Sequence, residues 1–354
     1  MKHIRFLTAL IFAVIVLLLL TAAAPSGVSP SAGGYTTMCY DAESHLVVLY
    51  GGQMTGDYTD SNTYSDETWT FDPATHEWTK KSPAGFPLGS SGGSMTYDSK
   101  ADRCILSSTS GFWLDPQTQA TPLQTWAYDA STDTWTQLAD GPRMLLGQRI
   151  VYDSESDRTI LFGGFGPPWT MGQGISDETW AYDYKTNTWT NMQPRVHPTG
   201  RNYIGMVYDS KADRVVLWGD WTPNYNPSID TSVWTYDYNT NTWQEFEHKR
   251  DGPAGRDYIN LAYDPKADKI LMYGGYSYGN DETWVYDLNT DTWQQMFPPS
   301  NPGLLSRYSM VYVKDLNKVI LYGGQDGPNY DSYKTDTWSY SLRSNTWTNI
   351  SPGQ

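Results

Sequence analysis

Apolar and polar positions in this chain alternate in short bursts, with turn residues between them, from about residue 35 to its end. One stretch shows the pattern. Tyr203 to Tyr208 is a burst ending in Tyr-Asp, Arg214 to Trp218 is an apolar run, and Glu178 to Asp183 reads Glu-Thr-Trp-Ala-Tyr-Asp. Period-two alternation puts Trp180 and Tyr182 on one face of a strand. Both bursts and runs are rich in β-branched and aromatic residues, so they predict strands. Asp209 and Asp213 bracket the turn between the first two, where aspartate side chains accept bonds from nearby backbone N–H groups. A polar turn, Tyr184-Lys185-Thr186-Asn187, then leads into a last strand opening at Thr188-Trp189. The unit is therefore four antiparallel strands, a to d.

This unit recurs. Tryptophans fall in six pairs, Trp69/Trp78, Trp126/Trp135, Trp180/Trp189, Trp234/Trp243, Trp284/Trp293 and Trp338/Trp347, each nine residues apart and about fifty to fifty-seven from the next pair. A Tyr-Asp turn precedes every pair, from Tyr40-Asp41 in the first copy to the more divergent Tyr312-Val313 in the last. The apolar run after it usually ends in a glycine pair, with Ser107-Ser108 and Gly219-Asp220 as departures. Units of this length cannot bury their apolar faces alone and must stack on neighbours. If they stack radially, each must splay at the rim, and an indole fills the wedge between adjacent sheets.

An arginine near the start of strand a, the diglycine after strand b, and Trp-x-Tyr-Asp followed by a second Trp together resemble kelch repeats. The resemblance spans about residues 35–350. It implies an all-β fold, a six-bladed kelch-type β-propeller of the galactose-oxidase and kelch superfamily, with blades near 35–85, 90–140, 145–195, 200–250, 255–300 and 304–351. It says little about activity, because this fold carries enzymes, scaffolds and sugar-handling proteins alike. The first copy begins with strand a and the last ends with strand d. Ring closure thus needs no exchange of strands between the termini, and the first and last blades are expected to meet through side chains.

Residues 1–24 carry Lys2 and Arg5 ahead of a mostly apolar stretch, Phe6 to Ala24, which is a signal peptide or a signal anchor. Its nineteen residues would span roughly 28 Å as a helix, so retention as an anchor is the alternative to the cleavage that Ala22-Ala23-Ala24 favour. Residues 25–34 are a Ser/Pro/Gly linker. The positive flank places the repeats outside the cytoplasm, at the cell surface or beyond it. Membrane contact is expected only through that segment. The formal net charge of −15 repels phosphate backbones and argues against nucleic acid as a partner.

Strand order sorts the loops. The a–b and c–d turns emerge on one face and repeat from blade to blade, which marks them as structural caps rather than cation sites. The b–c loops and d–a links emerge on the other, are long and irregular, and carry the expected function. Aromatic residues crowd these b–c loops, and Trp113, Trp169, Trp221, Tyr225, Tyr278 and Tyr330 are the candidate binding residues. Such rings stack on sugar faces and serve equally as protein contacts, although they could also simply pack the loops. Arg143, Arg201, Arg256 and Arg307 in the d–a links are a second candidate set. In kelch proteins, the resemblance implies, such arginines sit near the channel mouth, bonding a neighbouring blade or meeting an anionic ligand.

Catalytic constellations are hard to find. Among His3, His45, His76, His197 and His248 no pair has metal-ligand spacing, and no copper set of the galactose-oxidase type can be mapped. No metal or cofactor is expected. Cys39 and Cys104 fall on strand a of the first blade and strand b of the second, where two buried thiols are the expected state and a disulfide is the alternative that export permits. The favoured function is an exported, monomeric binding propeller whose loop face engages a glycan or an extracellular protein. A sugar-modifying enzyme, or a structural component of the cell surface, is the alternative.

Overall fold

Each Tyr-Asp burst, apolar run and tryptophan segment forms a strand, and the strands join in sequence order into six four-stranded antiparallel sheets. The computed structural model describes residues 28–55, 63–87, 93–108, 123–142, 146–166, 174–219, 231–246, 251–276, 280–326 and 332–353. Residues 1–27, where a signal peptide or anchor is expected, and most of the b–c loops lie outside them. In the fourth blade, strand a is Gly205–Asp209, b is Arg214–Trp218, c is Val233–Asp237 and d is Thr242–Phe246. No described residue lies in an α-helix. The innermost strands of neighbouring blades contact each other around the circle, including the first with the last, so the sheets form a closed six-bladed propeller.

The turns explain why Tyr-Asp recurs. In the a–b turn of the fourth blade, Oδ1 of Asp209 accepts from the N–H groups of Lys211 and Ala212, both at 3.0 Å. Asp213 then takes a left-handed conformation, φ 55°, and its carboxylate accepts from the Tyr208 hydroxyl at 2.8 Å. The c–d turns repeat the device, with the Tyr236 hydroxyl on Asn241 at 2.8 Å. Asp and Asn tolerate positive φ better than other non-glycine residues, which is why they hold this position. In the first blade His45 holds it instead. There Asp315, from the last blade, accepts from Tyr40 at 2.7 Å and sits 2.5 Å from Nδ1 of His45.

Five of the six seams between blades share an aromatic contact. The last residue of strand b is aromatic and packs against the strand-d tryptophan of the next blade: Tyr50 on Trp135 at 5.2 Å between centroids, Phe162 on Trp243 at 5.1 Å, Trp218 on Trp293 at 5.3 Å and Tyr273 on Trp347 at 4.9 Å. Where strand c of the preceding blade carries a threonine at its start, the indole N–H donates to it, as Trp135 does to Thr68 at 2.9 Å and Trp347 to Thr283 at 3.0 Å. The expected wedge is thus supplied by strand d. Strand-c tryptophans instead bond within their own blade, Trp284 to Glu282 at 3.0 Å for example.

Closure of the ring repeats the recipe, with Trp78 on Tyr322 at 4.9 Å and its indole donating to Thr337 at 2.9 Å. Side chains do join the terminal blades, as expected, and main chain joins them too. Gly324 N–H donates to Gly33 at 2.6 Å and Tyr35 N–H to Arg307 at 2.9 Å. The two cysteines correct the expectation of buried thiols: Cys39 and Cys104 form a disulfide across the first seam. Stacking of adjacent blades brings strand a of one close to strand b of the next, with a Cα–Cα separation of 6.5 Å, within disulfide reach.

Candidate functional site

The axis of the ring is stoppered at one end. Five residues before the repeat tyrosine, at the loop-face end of strand a, stand Tyr35, Gly147, Tyr203, Tyr258 and Arg307, all with positive φ between 51° and 70°. The reversed backbone turns their side chains inward. Tyr35 and Tyr203 belong to the first and fourth blades, on opposite sides of a six-membered circle, yet their rings meet at 5.9 Å. Tyr258 lies 4.2 Å from Tyr203 and 5.8 Å from Tyr35. The Arg307 guanidinium covers Tyr258 at 4.2 Å and Tyr35 at 5.0 Å. Gly147 makes room: a Cβ there would stand 2.9 Å from the Tyr203 ring, at a φ of +70° that L side chains rarely adopt.

Beneath this plug lies a cavity of about 360 Å³, lined by strand a of all six blades and continuing to the a–b turns at Ala42, Pro265 and Lys314. Arg149 stands at its inner end. Its Nε donates to the carbonyl of Ile204 at 2.7 Å and its Nη2 to that of Ile259 at 3.0 Å, so one side chain ties the third blade to the fourth and fifth. The equivalent positions are Thr37, Ser94, Gly205, Asn260 and Ser309, small or neutral groups that leave the space Arg149 crosses. Burial lowers its pKa to about 10, with Tyr308 and Tyr203 opposing the shift, and it stays charged at neutral pH.

The arginines chosen from the sequence are placed differently. Arg201 and Arg256 are equivalent and buried, and each donates to carbonyls of its own blade. Arg201 donates to the carbonyls of Thr199 at 3.1 Å and Gly219 at 3.3 Å, and Arg256 to those of Ala254 at 2.9 Å and Gly274 at 3.0 Å. Arg256 also meets Glu282 at 2.8 Å. Burial pushes the Glu282 carboxyl up, but bonds from Trp284 and Arg256 outweigh it and hold the group below its ordinary value. Arg307 aligns two positions later than these, with the plug tyrosines. Arg201 and Arg256 therefore share one kind of partner, and Arg307 has another. Arg143 lies outside the described residues, as do Trp113, Trp169, Trp221, Tyr225, Tyr278 and Tyr330.

Sequence reasoning missed Tyr35, Tyr203, Tyr258 and Arg149. Counting back five positions from each repeat tyrosine would have aligned the three tyrosines, and counting back three would have shown Arg149 as the one cation at its position, because the register of strand a is constant. Among the described residues one carboxylate group, Asp153, Glu155 and Asp213, is close enough to share an ion. Asp153 is already capping its own turn, through Glu155 N–H at 3.0 Å and Ser156 N–H at 3.1 Å, and the Asn239 amide bridges Glu155 and Asp213. His197 lies 3.7 Å from Asp177, and His248 is outside the described residues. A family model, the KLHDC2/KLHL20/DRC7 Kelch-repeats domain, matches residues 210–354.

Proposed function

We propose that this chain, a kelch-repeat β-propeller by its six-bladed ring and by the family model matched over residues 210–354, is an exported binding scaffold whose loop face engages an extracellular protein or a glycan. A kelch propeller is a rigid frame for presenting loops, and that favours a protein-binding scaffold over a reaction centre. One observation carries the choice of face. On the turn side the hydroxyl and carboxylate groups of the repeat bond within their own turns, as Tyr152 does to Asp157 and Tyr286 to Asp291, leaving little directed bonding for a partner. The opposite side has the aromatic loops and the tyrosine plug, with Tyr276 40% exposed beside Tyr258.

Export is supported by the disulfide, which persists in oxidising compartments, together with the charged and apolar leader. The competing sugar-modifying enzyme would use the d–a arginines on an acidic sugar, but Arg201 and Arg256 are buried and engaged with Thr199, Gly219, Ala254, Gly274 and Glu282. The test is binding to arrays of glycans and exported proteins by the parent and by Trp113→Ala, Trp169→Ala and Trp221→Ala. Loss of a specific partner without loss of thermal stability supports the aromatic loop face. Undiminished binding by all three variants removes it, and unfolding assigns the rings to loop packing.

A further inference from the structure

The lumen has a charge that its surroundings do not. The chain holds 39 acidic residues against 24 basic ones, yet no carboxylate is among the residues lining the cavity, and its two charged side chains are Arg149 and Lys314. Arg149 is deep in the ring, bonded only to two neutral carbonyls. A cation withdrawn from water without an anion beside it is costly, and a guanidinium held by backbone carbonyls keeps N–H groups free for a second partner. Nη1 makes no protein hydrogen bond and is not among the buried unsatisfied atoms, which leaves it open to the lumen. Hydroxyl and amide groups of Thr36, Ser94, Asn260 and Ser309 line the same end. The volume, about 360 Å³, falls within the roughly 300–1,000 Å³ usual for small-molecule sites.

We infer that the channel is a binding site for a small organic carboxylate, anchored on Arg149 and entered from the a–b turn face past Lys314. The plug of Tyr35, Tyr203, Tyr258 and Arg307 closes the other end, so this site is separate from the loop face proposed for macromolecular partners. A planar guanidinium matches a carboxylate better than a spherical or tetrahedral ion, which sets the expected preference. Ligand arriving here would also tie the third, fourth and fifth blades together through Arg149, and so stabilise the ring in proportion to its occupancy.

The experiment titrates the whole exported chain, in a buffer free of carboxylates, with acetate, succinate and citrate, and separately with chloride and phosphate at matched ionic strength, reading heat and melting temperature. One carboxylate is expected to bind one-to-one and to raise the melting temperature, and Arg149→Gln to weaken it about tenfold or more. Lys185→Gln, on an exposed c–d turn away from the lumen, leaves that affinity unchanged. Should Arg149→Gln fail to fold, Val207→Phe and Val311→Phe narrow the lumen from half-accessible positions while keeping the guanidinium, and the same loss is expected. Binding that persists in Arg149→Gln or in both narrowed variants overturns the site. Binding of chloride or phosphate alone overturns the carboxylate assignment, and absence of binding by every probe overturns the inference altogether.

Discussion

The second blade is held on its two sides by different means. Towards the first blade the seam has the full recipe: Tyr50 packs on a buried Trp135, the Trp135 indole bonds Thr68, and the Cys39–Cys104 disulfide crosses between the sheets. Towards the third blade Ser107 stands where other blades place an aromatic ring, and Gln148 donates to its hydroxyl at 2.8 Å. Trp189, the strand-d indole of that seam, still bonds Thr125 at 3.0 Å but is left half-buried. The apolar cluster there is aliphatic at its centre, with Ile105, Leu123, Ala127, Ile150 and Leu161. One seam is tied by area and a covalent bond, the other by directed polar bonds, and a closed ring can carry the second because both of its blades are held elsewhere.

The sharpest way to break this comparison is to truncate the two indoles. Trp135→Ala empties a buried site against Tyr50 and should cost about 3–5 kcal/mol in chemical denaturation, whereas half-buried Trp189, which faces Ser107 instead of a ring across the seam, should lose no more than about 2 kcal/mol on change to Ala. Equal losses would mean that the seams are equivalent. Next comes the covalent tie. The double change Cys39→Ala and Cys104→Ala releases a loop spanning 65 residues and should cost about 2–4 kcal/mol, read as a lowered denaturation midpoint. Hydrogen exchange should then show the first seam opening as readily as the second.

A smaller effect belongs to Ser107. Replacing it by Ala strands the buried Gln148 amide, whose carbonyl oxygen already has no partner, and should cost about 1–2 kcal/mol. High pH should not discriminate between the seams at all. Burial, then the bonds to Asp133 and Asp157, push Tyr128 and Tyr152 far up, and burial with Asp264 nearby raises Tyr312 to about 12. The fold therefore keeps these phenols neutral. Their contribution is complete below about pH 10, where unfolded tyrosine titrates, and falls as the pH climbs towards the folded values. Tyrosinate absorbance and circular dichroism should change together in that window, in the parent and in both tryptophan variants.

The number of blades and the strands within each could be read from residue spacing, since Tyr-Asp and the tryptophan pairs mark fixed places in a constant register. The aspartate-bracketed turns were legible for the same reason: Asp209 and Asp213 act on residues two to five positions away. Less of the site was legible. Arg201 and Arg307 look alike in a local alignment, each following a small residue in a link, yet a shift of two positions sends one to its own blade's carbonyls and the other onto the tyrosine rings. The cysteines fell short for a related reason, because pairing depends on how far one sheet slides over the next.

Sequence alone thus determined the repeating unit and its aspartate-bracketed turns, which depend on neighbours along the chain. Only the closed ring decided that Tyr35 and Tyr203 touch across the axis, that Cys39 meets Cys104, and that Arg149 spans to Ile259. These contacts join residues from separate repeats, and their distances follow from six sheets dividing one circle. No local pattern encodes that geometry.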